Sequence, residues 1–108
     1  MVYESLEYTR IEHFRFKVEA CPEIDRIAED VVKKYGFDET SVTRGPSYVE
    51  VKGSGSDLSI TVRLACITPS DMKEYILAGY IVVKICPRRM AERITDDIIE
   101  FIEGRVKA

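Results

Sequence analysis

Residues 58–66, LSITVRLAC, alternate between apolar and mostly polar side chains without interruption, and this pattern is the clearest indication of the fold class. Apolar side chains take every second position, from Leu58 to Cys66, with Ser, Thr, Arg and Ala between them. Because successive side chains of a strand point to opposite faces, the pattern predicts a strand with one buried face and one exposed face.

A shorter strand is predicted just before this stretch. Val49 and Val51 alternate with polar residues, and the glycine-rich residues 53–57, GSGSD, are typical of a turn. A hairpin that pairs Val51 with Leu58 keeps all the apolar side chains on one face. The sequence therefore predicts a hairpin in that register.

The N-terminal third predicts a strand followed by a helix. Phe14, Phe16 and Val18 alternate with charged residues, which is the strand pattern. Apolar residues then recur at helical spacing over residues 22–35, beginning at a proline, and Gly36 supplies a left-handed stop.

Two interpretations fit the segment after the central strand. Residues 68–71, TPSD, are typical of a helix start, with the helix ending at Gly79. The alternative is a tight turn followed by a strand in which Leu77 faces Val62. The helix is favoured, because a strand over residues 72–86 would be about twice the usual length.

The C-terminal part predicts a strand over residues 80–86 and a last helix that ends near Gly104. The buried stripe expected on that helix consists of Met90, Ile94, Ile98 and Phe101 or Ile102.

Together these elements predict a single α+β domain over residues 1–108. Its core would be an antiparallel sheet of about four strands in a single layer, with helices on one face. The favoured order is ferredoxin-like βαββαβ plus a C-terminal helix, and the alternative is βαβββα with a three-strand meander. Residues 1–8 are expected to be loose or to add an edge strand.

Composition indicates the working conditions. Asn and Gln are absent, while Asp, Glu, Lys and Arg make up 32% of the chain. Amides deamidate when hot and charged networks suit high temperature, so a thermophile is expected. No long apolar run or signal peptide is visible, which predicts a cytoplasmic protein with no membrane partner. The net charge of -3 argues against attraction of nucleic acid by the chain as a whole.

The cysteines offer limited chemistry. Cys21, Cys66 and Cys86 show no metal-ligand spacing, so neither a metal nor another cofactor is expected. The ordinary interpretation is three buried thiols, and the alternative is one disulfide with one thiol left over. Cys21 and Cys86 each precede a predicted helix, where a thiolate is stabilised, so they are candidate reactive or paired thiols. Catalysis would need a base, and the single histidine, His13, is expected to face outward.

The outward face of the sheet carries the main candidate site. Once the apolar side chains are buried, mostly cations and tyrosines remain on the other face. The candidate binding residues are His13, Arg15, Lys17, Tyr48, Lys52, Arg63, Tyr80 and Lys84.

A second candidate is an anion site at Arg88 and Arg89. These residues are expected in the first helical turn, where the helix dipole disfavours cations unless an anion is bound.

The favoured function is a non-enzymatic interaction module. It would form a homodimer through its open sheet face and bind a protein partner. The alternative is binding of single-stranded RNA or other nucleic acid on the basic, tyrosine-bearing face. A cysteine-dependent enzyme is the third interpretation.

Overall fold

The computed structural model describes residues 8–37, 39–55, 58–68, 75–85 and 88–107. Five strands and two helices follow one another in the order β1, α1, β2, β3, β4, β5, α2. Their bounds are β1 Tyr8–Val18, α1 Ile24–Lys33, β2 Glu39–Arg44, β3 Tyr48–Ser54, β4 Leu58–Ile67, β5 Tyr75–Ile85 and α2 Arg88–Lys107.

All five strands form one antiparallel sheet in the order β1-β5-β4-β3-β2. The α+β class and the open antiparallel sheet are confirmed. The described elements follow βαββββα rather than the ferredoxin-like order, and the sheet has five strands instead of about four. The alternative prediction, βαβββα with a three-strand meander, is closer to the observed order but has one strand fewer.

The core lies between one face of the sheet and both helices. Ile60, Val62 and Leu64 of β4 are fully buried there, as their alternation predicts. Helix α1 packs on β3 and β4, and helix α2 packs on β1 and β5. The other face has no described helix against it, and we call it the open face.

Strand β2 is absent from the prediction. All six of its residues are exposed, so its sequence carries no apolar alternation. Pairing with β3 over all six residues holds it in place. Arg44 adds hydrogen bonds from Nε to Asp25 and from Nη2 to Glu29, both at 2.9 Å. These ion pairs join the end of β2 to helix α1.

The predicted helix over residues 69–78 is wrong where the structure describes it. Residues 75–79 belong to strand β5, and residues 69–74 lie outside the described residues. The register also differs from the alternative prediction, because Leu77 pairs with Cys66 rather than with Val62. Strand β5 is 11 residues long, so the usual length of strands was not a valid reason to prefer a helix here.

The predicted hairpin exists in a different register. Val51 pairs with Val62 rather than with Leu58, because Gly53 continues β3 and the chain turns later. The Gly55 N–H donates to the Leu58 carbonyl at 2.9 Å and closes that turn. A side chain at Gly53 would overlap the Phe37 ring, so this glycine serves packing rather than the turn.

Both predicted amphipathic helices form, with corrections at their ends. Helix α1 is shorter than residues 22–35, and Gly36 follows it with a φ of 63° as expected. On α2 the predicted core residue Met90 is 49% exposed, and Ala91 is buried in its place. The helix also continues through Gly104 to Lys107, because backbone hydrogen bonding tolerates an exposed glycine.

Candidate functional site

The sheet register places all eight candidate binding residues on the open face. In β1, β5 and β4 this face is formed by every second residue, including His13, Tyr80 and Arg63. The same alternation in β3 adds Tyr48 and Lys52. Sequence periodicity therefore predicted the membership of this face without knowledge of the register between strands.

One row of side chains crosses four strands on this face. The register sets Glu50 beside Arg63, Arg63 beside Tyr80, and Tyr80 beside His13. The His13 and Tyr80 rings meet edge to face with centroids 5.9 Å apart. The Tyr80 hydroxyl donates a hydrogen bond to Glu50 Oε1 at 2.7 Å.

Arg63 lies between the two tyrosines of the open face. Its guanidinium carbon is 4.3 Å from the centroid of the Tyr48 ring and 6.0 Å from that of Tyr80. Both distances fall within the range of cation–π attraction. The guanidinium is therefore held in place before any partner arrives.

The next row contains the small residues that the sequence analysis missed. Here Tyr48 lies beside Ala65, Ala65 beside Ala78, and Ala78 beside Arg15. The two alanines form the floor of a shallow depression of about 630 Å³. Its walls include His13, Arg15, Arg63, Ile67 and Tyr80. Only the register brings two small residues together, so the alternation within each strand gave no signal for this depression.

The open face is basic although the chain as a whole is acidic. Its strand positions carry five Lys or Arg residues against two acids, Glu39 and Glu50. Many acids instead lie on the helices, where Asp25 and Glu29 bind Arg44 and Asp30 accepts a hydrogen bond from Arg105 at 2.8 Å. The two helices carry acids and cations in nearly equal numbers, so the excess of cations is a property of the open face.

The pKa of Tyr80 is raised above its ordinary value of 10.0. The main cause is the hydrogen bond to Glu50, and burial adds to it, while Arg63 acts in the opposite direction. Because the folded pKa exceeds the unfolded one, the contribution to stability is full below pH 10.0 and is lost as the pH rises through the folded pKa.

We expect Glu50→Gln to lower the pKa of Tyr80 toward its ordinary value, because the charged acceptor is removed. Arg63→Gln is expected to raise the same pKa further, because a cation that favours the phenolate is lost. Tyrosinate absorbance against pH, with Tyr80→Phe as the reference, measures both shifts. Shifts of the same sign in the two variants would contradict this account.

The described residues contain one disulfide, as the alternative interpretation expects, but it joins Cys21 to Cys66 rather than to Cys86. Cys21 forms a disulfide with Cys66, with Cα atoms 5.9 Å apart, and Cys86 lies outside the described residues. Cys21 is exposed, so the interpretation of three buried thiols is wrong. As a disulfide, Cys21 has no thiol to react. The bridge reaches β4 at a position on the helix side, whereas His13 is exposed on the open face.

The candidate anion site is described only in part. Arg88 and Arg89 are the first two residues of α2, as the sequence predicts, and the first turn contains no acid. Their side chains lie outside the part of the chain that the structure describes.

Within the described ranges, no three His, Cys, Asp or Glu side chains form a group that could hold a metal ion. No described helix is long and apolar enough to cross a membrane.

Comparison with known proteins found no match to this chain, either among protein-family models or among curated protein sequences.

Proposed function

We propose that this protein is a non-enzymatic interaction module that binds an acidic protein segment through its open face. The observation that carries the proposal is the depression floored by Ala65 and Ala78, with Arg15 and Arg63 in its walls. Concave apolar surfaces with a few well-placed polar groups are typical of binding sites.

The depression suits one apolar side chain of the partner. Its floor is apolar, and Ile67 on its wall is 45% exposed, so burial under a Phe or Leu would remove apolar surface from water. The neighbouring guanidinium groups would then pair with carboxylates on either side of that anchor. A short segment with one large apolar residue between acidic residues would therefore fit both the apolar floor and the neighbouring guanidinium groups.

The charge of the open face favours an acidic partner over a second copy of the chain. Packing two open faces together would bring five cations against five cations, and like charges across an interface are costly. The proposal therefore assigns the open face to an acidic partner, and self-association has to use another part of the molecule.

Single-stranded RNA is the second candidate, and the row of His13, Tyr80, Arg63 and Tyr48 favours it. Several RNA-binding modules stack bases on aromatic rings and guanidinium planes that lie side by side on a basic sheet. However, Arg63 already lies over the Tyr48 ring, and the Tyr80 hydroxyl is bound to Glu50. Stacking would have to displace these contacts, so we rank a protein partner first.

The test uses a fluorescent acidic peptide with one central Phe and, separately, a labelled oligouridine. We expect the peptide to bind and Arg15→Glu with Arg63→Glu to weaken it on the order of a hundredfold, because attraction becomes repulsion at both positions. Arg26→Glu with Arg93→Glu is the matched control, since both arginines are exposed on the helices and the charge change is identical.

Three results would overturn the proposal. The peptide could fail to bind the wild-type protein, or the two double variants could weaken it equally. The third is tight, strongly salt-dependent binding of oligouridine that Arg15→Glu with Arg63→Glu abolishes, which would move RNA to first place.

A further inference from the structure

Among the described strands, β1 leaves one long edge of the sheet without a neighbour. It runs over Tyr8–Val18 and pairs with β5 on one side only among the described residues. An exposed edge presents free N–H and C=O groups and can accept another strand. The opposite edge, β2, is six residues long, and its Arg44 is committed to helix α1.

We propose that the edge of β1 pairs with β1 of a second copy of this chain. The two strands would be antiparallel around a two-fold axis at Ile11, and the two sheets would join into one of ten strands. This interface is formed by the backbone edge of β1 rather than by the depression, and the proposal does not depend on the proposed function.

Symmetry restricts the possible registers. A two-fold axis that relates neighbouring antiparallel strands is perpendicular to the sheet, so each face continues into the same face of the partner. Opposed residues must therefore come from the same face of β1. Centring the axis on Arg10, Glu12 or His13 would set that residue against its own copy, with like charges opposed in the first two cases.

The register centred on Ile11 is complementary to itself. Arg10 then lies opposite Glu12 of the partner subunit, and Glu12 lies opposite Arg10 of the partner subunit. Opposite charges directly across two strands are stabilising. In the single chain, Arg10 Nη2 donates to Glu12 Oε2 at 3.0 Å, and its Nε is buried with no acceptor among the described residues, which leaves hydrogen-bonding capacity on the guanidinium.

The residue on the axis supplies apolar contact. Ile11 is 56% exposed, more than the other large hydrophobic side chains found exposed in the described residues. Opposed residues in an antiparallel pair have Cβ atoms about 5 Å apart, so Ile11 would contact Ile11 of the partner subunit. On the same face, Thr9 would lie opposite the partner subunit's His13.

Charged residues on an edge strand have another known use, which is to prevent pairing with other chains. Protection of the edge and alignment of two copies predict different results when the charge at Arg10 or Glu12 is reversed. If Arg10 and Glu12 protect the edge, the protein is monomeric and their charges do not affect its size. If they align two copies, the pattern of charges controls the dimer.

The first experiment measures dimer formation by sedimentation equilibrium. We expect a wild-type dimer, and we expect Arg10→Glu and Glu12→Arg each to weaken it by about tenfold, because like charges then face each other. An equimolar mixture of the two variants is expected to recover dimers, since an acid again faces a base at both positions. A general loss of folding in either variant would not be repaired by mixing.

The second experiment tests the register by oxidation in a Cys86→Ala background. Ile11→Cys is expected to form covalent dimers, because the two thiols meet on the axis. Thr9→Cys, also exposed on the open face, is the matched control and is expected to stay monomeric. A monomeric wild-type protein, a mixture that does not recover dimers, or equal cross-linking at both positions would overturn the proposal.

Discussion

Reducing the Cys21–Cys66 disulfide is expected to lower the free energy of unfolding by about 4 kcal/mol. The bridge joins residues 45 positions apart, from the segment after β1 to strand β4. A cross-link over a loop of this length removes many conformations from the unfolded chain, which is the main source of its stabilisation. For a domain of about 100 residues, the loss corresponds to a fall in Tm of roughly 20 °C.

Urea unfolding with and without reductant measures this effect. Cys21→Ala with Cys66→Ala should match the reduced wild-type protein and should no longer respond to reductant. Cys86→Ala is the control and should keep the full response. Mass spectrometry of a non-reduced tryptic digest should find peptides 18–26 and 64–73 linked. Equal stability of the oxidised and reduced protein would contradict the prediction.

Gly79→Ala is expected to destabilise the protein by about 3 kcal/mol, which is large for the addition of one methyl group. Gly79 lies in β5 opposite both Leu64 and Phe14. A Cβ there would overlap the carbonyl group of Arg63 and would lie 3.1 Å from the Phe14 ring. Because the obstacle is backbone, the two central strands would have to move apart.

The matched control is Gly104→Ala. Gly104 lies inside α2 and is exposed, and apart from the adjacent helix backbone no described atom lies within 4 Å of the position its Cβ would take. Alanine is the better helix former, so this variant is expected to gain about 1 kcal/mol. Urea denaturation measures the free energy of unfolding of both variants, which is expected to fall for Gly79→Ala and to rise for Gly104→Ala. A stable Gly79→Ala variant would show that the spacing of β4 and β5 is not tightly fixed.

The sequence predicted those parts of the fold that bury a periodic apolar face. The alternation in β4 and around Phe14 identified two strands, and the spacing of Ile27, Ala28 and Val31 identified helix α1. The membership of the open face followed from the same alternation. These results depend only on which side of an element is buried.

The sequence could not predict features that depend on how elements meet. Strand β2 is exposed throughout, and its attachment through Arg44 needs carboxylates that lie 15 and 19 residues away in the chain. The hairpin register depended on where a glycine-rich segment turns, and Gly53 was assigned to the turn although it belongs to the strand. The alanine floor of the candidate site appears only when the register of β4 and β5 is known.

The open face is the proposed binding surface, and an NMR titration with the acidic peptide shows where on the protein the peptide binds. We expect the largest chemical-shift changes at residues of the depression, including Arg63, Ala65, Ala78 and Tyr80. The exposed faces of α1 and α2 should remain unchanged. Changes concentrated on the helices, with none around Ala65 and Ala78, would contradict the claim.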